Sequence, residues 1–152
     1  YALAPEHDAV GLIVRTIDAA KSQVLVQAFS FTHRDIAGAL IRAHRRGLDV
    51  QIIVDREQTL SAPSSAMRAL GIAGLILFTD GEHAAAHNKI IIVDPNSNHP
   101  ALVTGSFNFT YAAQLRNAEN VLVLHDNPDL TWAFYAGWRH HRAHAMVVIP
   151  EP

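Results

Sequence analysis

The sequence predicts an α/β fold in which a mixed β-sheet is sandwiched between helices. Short runs of Val, Ile and Leu, apolar on both faces, recur along the chain and suit strands covered from each side. Stretches with apolar residues at helical spacing lie between them, and that alternation places helices on both faces of a sheet. Strands at 89–94 and 101–106 follow too closely for a helical crossover, so they form a hairpin and the sheet is mixed.

Val10, Ile13, Val14 and Ile17 repeat at helical spacing and predict an amphipathic helix over 6–21. Residues 24–29 are a buried strand. Thr32 with Asp35 three residues later marks a helix start; Ile36, Leu40 and Ala43 continue it and Gly47 ends it. Residues 50–54 are the next strand, closed by Asp55. A third helix is expected over 61–70 after Ser61-Ala62-Pro63, then an apolar stretch at 75–78. Further strands fall at 89–93, 101–104 and 121–124, with a short helical stretch before Glu119. Asn127 and Pro128 supply an N-cap and a first-position proline for the last helix. Leu130, Phe134 and Trp138 give that helix a buried stripe. No linker or low-complexity segment interrupts the chain, so residues 1–152 read as one domain of a size that a single core supports.

The apolar fraction of 49% and charged fraction of 17% are those of an ordinary globular chain. No apolar run approaches the ~18 residues that span a bilayer, so no stable membrane insertion is expected. The chain has no cysteine, which rules out disulfides, thiolate zinc sites and a Cys nucleophile. A net charge of −2 argues against a strongly basic nucleic-acid binder. The clusters Arg42/Arg45/Arg46 and Arg139-His140-His141-Arg142 with His144 read first as solvated helix faces, and second as contacts to a phosphate backbone.

The chemistry concentrates in His87-Asn88-Lys89-Ile90-Ile91-Ile92-Val93-Asp94 and Gly105-Ser106-Phe107-Asn108. A strand repeats every two residues, so His87 and Lys89 share a face. Ser106 and Asn108 do likewise if the extended backbone continues. Pairing of the two strands gathers a nucleophile, a cation and two neutral hydrogen-bonding groups at one sheet edge, an inventory that suits a phosphate. Asp94 stands an odd number of residues from His87 and opens a turn, so it reads as structural. Glu119, at a strand start in an otherwise uncharged region, is the better partner to orient the His87 ring. A lone His-x-Lys is weak. Here one of only two lysines falls in it, and Gly-Ser-x-Asn ends the next strand. Gln51–Asp55 faintly echoes Ile90–Asp94, but no His or Lys precedes it, so the motif occurs once.

His87-x-Lys89-x4-Asp94 with Gly105-Ser106-x-Asn108 resembles the signature of the phospholipase D superfamily. Residues 28–32, 46–50, 104–110 and 116–120 extend the resemblance to its small bacterial endonuclease branch. The resemblance implies a covalent phosphohistidine at His87, phosphate binding by Lys89 and Asn108 with Ser106 beside them, and Glu119 as the acid that orients the nucleophile. Asp94 and Gly105 complete the motif. Ten residues separate Asp94 from Gly105, more than the family commonly has, and the added hairpin loop is a candidate to alter access or dimer contacts.

Phosphodiester hydrolysis through a covalent intermediate needs a nucleophile and a separate proton donor. One motif copy supplies one histidine, so a homodimer with the active site on its two-fold axis is expected, pairing His87 with its mate. Two Lys89 and two Asn108 then clamp the phosphate, and neither metal nor cofactor is expected. A nuclease acting on DNA or RNA with little sequence preference is the first reading, since a cleft that reads only a phosphodiester carries no base code. A lipid phosphodiesterase of phospholipase D or cardiolipin-hydrolase type is the alternative, and a non-catalytic phosphate-binding module the third. Export, to the periplasm or outside the cell, is an expectation of the resemblance alone; a leader removed before Tyr1 leaves no trace in this sequence.

The remaining histidines read plainly. His33 is expected in an exposed loop. His83 and His87 are four apart but not on a helix, so no metal pair is expected. His140, His141 and His144 read as exposed helix residues, with adventitious metal binding the alternative. Trp132, Tyr135 and Trp138 read as core.

Overall fold

The computed structural model describes residues 1–61 and 64–148. The chain runs β1 (Ala2–Ala4), α1 (Ala9–Asp18), β2 (Gln23–Ala28), α2 (Arg34–Arg45), β3 (Asp49–Asp55), α3 (Arg56–Ser61) and α4 (Ser65–Ile72). It continues through β4 (Leu77–Asp80), β5 (Lys89–Val93), β6 (Ala101–Gly105), α5 (Tyr111–Leu115), β7 (Glu119–His125), α6 (Pro128–His144) and β8 (Met146–Val148). One eight-stranded sheet has the order β1-β7-β6-β5-β2-β3-β4-β8. β2, β3 and β4 are parallel, while β5 is antiparallel to β2 and forms a hairpin with β6. The fold is α/β with a mixed sheet, as the sequence predicts.

Alternating side chains of each central strand feed two cores. Val24, Val26, Ile52, Val54, Ile91 and Val93 face the larger one, filled by α1, α2, α4 and α5. Leu25, Ile53, Ile90 and Ile92 face the smaller one, closed by Trp138 with Leu130 and Phe134 of α6. Trp138 Nε1 also donates to the Val26 carbonyl at 3.0 Å, which fixes α6 across the middle of the sheet. Helices therefore cover both faces.

The differences from the expected elements are local. The first helix begins at Ala9, where the Asp8 side chain accepts from Gly11 N, rather than at residue 6. α2 is capped by His33 instead of Thr32, its ring accepting from Asp35 N. The helix expected over 61–70 is replaced by α3 and α4, and Ala62 and Pro63 of the expected start lie outside the described residues. The short edge strands β1 and β8 have no sequence signal; pairing with β7 and β4 makes them.

Topology sets one end of the sheet apart. The last residues of β2, β3, β4 and β6 and the first residues of β5 and β7 meet there. β7 runs away from that end and α6 returns toward it. Open sheets bind ligands beyond the carboxyl ends of their parallel strands.

Candidate active site

His87 and Lys89 stand where β5 begins, against the last residue of β2, through the register Ala28↔Lys89. Lys89 is 8% exposed, and its Nζ donates to the His87 carbonyl at 2.6 Å. The same ammonium lies 3.1 Å from His87 Nδ1 and 3.4 Å from Nε2. The ammonium therefore faces the edge of the ring between its two nitrogens. Phe29 packs at 4.4 Å from the His87 ring and 5.3 Å from the ammonium, which narrows the freedom of both. Burial pushes the Lys89 ammonium below its ordinary pKa, and the Glu119 carboxylate pulls weakly the other way. The His87 ring is exposed to solvent.

β6 ends at Gly105, whose φ of +148° is open to glycine. A Cβ there would sit 2.2 Å from the Asn120 carbonyl. This close approach turns the chain so that Phe107 and Phe109 enter the core while Ser106 and Asn108 alternate outward. Phe107 N donates to the Asn120 carbonyl, and Phe31 bridges Phe109, which pins the segment on both sides. Asn108 Oδ1 is buried without a partner among the described residues, so its carboxamide is uncommitted.

Glu119 opens β7, half-buried. Its carboxylate accepts from the Ser106 hydroxyl at 2.5 Å and from Asn117 Nδ2 at 3.1 Å. Glu119 makes no hydrogen bond to His87 within the described chain; Ser106 and Asn117 take one acceptor site on each oxygen, and each oxygen keeps another. Ser106 Oγ in turn accepts from Asn120 N at 3.1 Å. In this arrangement the serine's one proton is directed to Glu119. Lys89 senses Glu119 through space.

Asp94 lies at the far end of β5 from His87 and is 5% exposed. Its carboxylate accepts from Lys21 N, Ser22 N, Ser22 Oγ and Gln23 N, each at 2.8 Å, and so fastens the start of β2. Burial works to raise its pKa; the hydrogen bonds from Gln23, Lys21 and Ser22 outweigh that and hold it below the usual carboxylate range. The hairpin loop after Asp94 is at this end too, so in the single chain it does not reach the site.

Several plain readings are corrected. His33 is buried, stacked 4.0 Å from Tyr111, and burial lowers its pKa against the pull of Asp35. His141 and His144 are not exposed helix residues; they turn onto the buried Asp80 at the end of β4, where His83 joins them. Trp138 and Tyr135 pack as core, but Trp132 is exposed beside Tyr135. The arginines divide: Arg42 forms a bidentate pair with Asp18, Arg46 reaches the Ile17 and Ala20 carbonyls, and Arg142 lies 3.4 Å over the Phe78 ring. Gln27, in β2, is a residue that the sequence reading missed. It is buried with both amide atoms unpartnered among the described residues, beside Asn88 and Trp138. A polar residue inside an otherwise apolar strand was the available signal.

A profile of the family described as "Cardiolipin synthase, PLD-like domain" matches residues 13–135. Phospholipase D of Rickettsia conorii is 37% identical over 131 residues, covering 86% of this chain and 62% of the relative. Mitochondrial cardiolipin hydrolase of Xenopus laevis is 33% identical over 115 residues, covering 76% of this chain and 52% of the relative. The chain thus spans about half to three fifths of the length of these relatives. The crystal structure of Nuc from Salmonella typhimurium, a phospholipase D family member, superposes with a TM-score of 0.88 at 34% identity, covering 98% of this chain and 96% of that one. NucT from Helicobacter pylori shares the fold, with a TM-score of 0.81 at 22% identity. With its fold, its His87–Lys89 edge and these likenesses taken together, the chain belongs to the phospholipase D superfamily, in its small Nuc-like form.

Proposed function

We propose that this chain is a metal-independent phosphodiesterase, most simply a sequence-nonspecific endonuclease for DNA and RNA, working as a homodimer across a two-fold axis. The single observation that carries the reading is the buried Lys89 ammonium held against the solvent-exposed His87 ring, with Asn108 uncommitted on the next strand. A fixed cation beside an accessible imidazole positions a phosphodiester and offsets the charge that develops as phosphorus is attacked.

In the proposed first step a ring nitrogen of one His87 bonds to phosphorus and the P–O bond to the leaving group breaks. The protonated mate gives its proton to the departing alkoxide. In the second step the mate takes a proton from water, the water oxygen bonds to phosphorus, and the P–N bond breaks. Glu119, which the single chain engages through Ser106 and Asn117, is available at the same edge to orient an imidazole of the pair. Exposed Leu3 of β1 and Leu122 of β7 lie close to Glu119 in the sheet register and give a second copy an apolar surface to cover.

Supercoiled plasmid in excess EDTA, incubated with the protein and with His87→Asn, tests this reading. Nicking that survives chelation and vanishes in the variant supports it; nicking lost on chelation in a protein that stays folded, and lost equally in His83→Ala with chelator, refutes it. Turnover needs one neutral and one protonated His87, so its pH profile is expected to be bell-shaped, and a flat profile between about pH 5 and 8 counts against the paired mechanism. The second reading, a lipid phosphodiesterase, is favoured by the names of the relatives, phospholipase D and mitochondrial cardiolipin hydrolase. Hydrolysis of cardiolipin liposomes with an intact plasmid would decide for it.

A further inference from the structure

We propose that Asp80, His83, His141 and His144 form a binding site for one zinc ion per chain, distinct from the His87 centre. Three elements bring the four residues together: the end of β4, the loop that follows it, and the last turn of α6. One ligating atom from each lies within 4.8 Å of the others. His141 Nδ1 is 2.7 Å from Asp80 Oδ2, His144 Nε2 is 3.2 Å from Asp80 Oδ1, and His83 Nδ1 is 3.8 Å from Asp80 Oδ1. Four ligands at zinc bond lengths stand about 3.3 Å apart at the corners of a tetrahedron, so side-chain adjustments that draw in the widest pairs, at up to 4.8 Å, complete the site.

A second observation points independently to a cation. His144 Nε2 is buried, has no well-formed hydrogen bond among the described residues, and lies 3.2 Å from Asp80 Oδ1. The other ring nitrogen, Nδ1, stands 2.9 Å from Glu82 Oε2. A carboxylate at Nδ1 suits the tautomer in which Nε2, the atom on the cluster side, is the metal-ligating nitrogen. This is the carboxylate–histidine arrangement that surrounds protein-bound zinc. The Asp80 side chain at the centre of the cluster is itself fully buried. Three imidazole rings with centroids 5.2–5.9 Å apart thus gather around this carboxylate, with Glu82 beside His144.

Three nitrogens and one oxygen suit a borderline divalent metal and disfavour magnesium and calcium, which seek oxygen. His83 is half exposed and gives an entry path. A metal held here would tie the segment 81–88, which leads into His87, to the last turn of α6. His140 stands next to the cluster but is exposed and is not one of the four, which makes it the control.

The test strips the purified protein with EDTA, desalts it, and titrates zinc against a chromophoric chelator, with cobalt as the spectroscopic probe. One equivalent per chain is expected, with the intense visible bands of four-coordinate cobalt. Zinc at about a hundred times its Kd is expected to raise the Tm by about 5–10 °C. His83→Ala and the double variant His141→Ala/His144→Ala are expected to weaken binding by about tenfold or more. His140→Ala and His87→Asn are expected to bind as the parent does. Absence of stoichiometric binding overturns the proposal, as does unchanged binding by His83→Ala. Equal weakening by His140→Ala would mean adventitious chelation by surface imidazoles, and loss of binding in His87→Asn would place the metal at the catalytic edge; each also overturns it.

Discussion

Replacing Asp94 by Asn removes a charge while keeping the shape of the side chain, and the structure gives the size of the effect. Asp94 has φ of +48°, a conformation that Asn adopts readily, so the backbone adds little to the change. Oδ1 takes the bonds from Ser22 N, Ser22 Oγ and Gln23 N, and Oδ2 takes the one from Lys21 N. An amide can keep its oxygen toward the first three donors, but its NH2 then faces Lys21 N and leaves that donor unmet, at a cost of about 1–3 kcal/mol. The three surviving bonds lose charge assistance, roughly 1 kcal/mol each before relaxation. A net loss of about 3–4 kcal/mol follows, or about 10 °C in Tm for a domain of this size. The folded-state pKa is depressed, so this stabilisation is full above the unfolded carboxylate value of about 3.9 and disappears as pH falls through the lower folded value. Urea and thermal unfolding of both proteins at pH 7 and pH 3 measure it. A gap under about 1 kcal/mol at neutral pH, or one that does not narrow in acid, would refute the reasoning.

Two further outcomes follow from the site end of the sheet. Gly105→Ala brings a Cβ to 2.2 Å from the Asn120 carbonyl at a positive φ, so it is expected to lose about 3 kcal/mol or more in urea unfolding and to disturb the Ser106–Glu119 pair. Lys89→Met removes a cation whose charged form the fold disfavours, as its lowered pKa indicates, so stability at pH 7 is expected to hold or rise. Phosphodiester hydrolysis by the same variant is expected to fall by about a hundredfold or more; retained activity in Lys89→Met would remove that residue from the proposed clamp.

The central sheet was legible because its strands carry their own pattern. Ile90, Ile91 and Ile92 alternate between two cores, and the connection to Ala101, long for a hairpin but without room for a helical crossover, leaves only a hairpin. The meeting of His87 with Lys89 was legible for the same reason, since spacing along one strand fixes it. β1 and β8 were not, because three-residue edges owe their form to the strands that they pair with. The cap of α2 was misplaced by one residue: His33 is ordinarily a poor cap, and its stacking on Tyr111 holds the ring where Asp35 N can donate to it. The bond from Ser106 to Glu119 was not legible, because it forms across the β6–β7 pair. The grouping of His141 and His144 with Asp80 had no local signal; more than sixty residues intervene, and only the return of α6 closes the distance.

The long connection between β5 and β6 leaves the sheet at the end opposite His87, where His99 and the exposed Asp126 meet at 3.0 Å. Loop closure grows only slowly more unfavourable with added residues. The molecule therefore has a natural grafting point: an epitope, a fluorophore or a second domain spliced between Asn96 and His99 would hang from the rear of the sheet. A graft there leaves the front edge, crowded by Gly105 and Asn120, untouched.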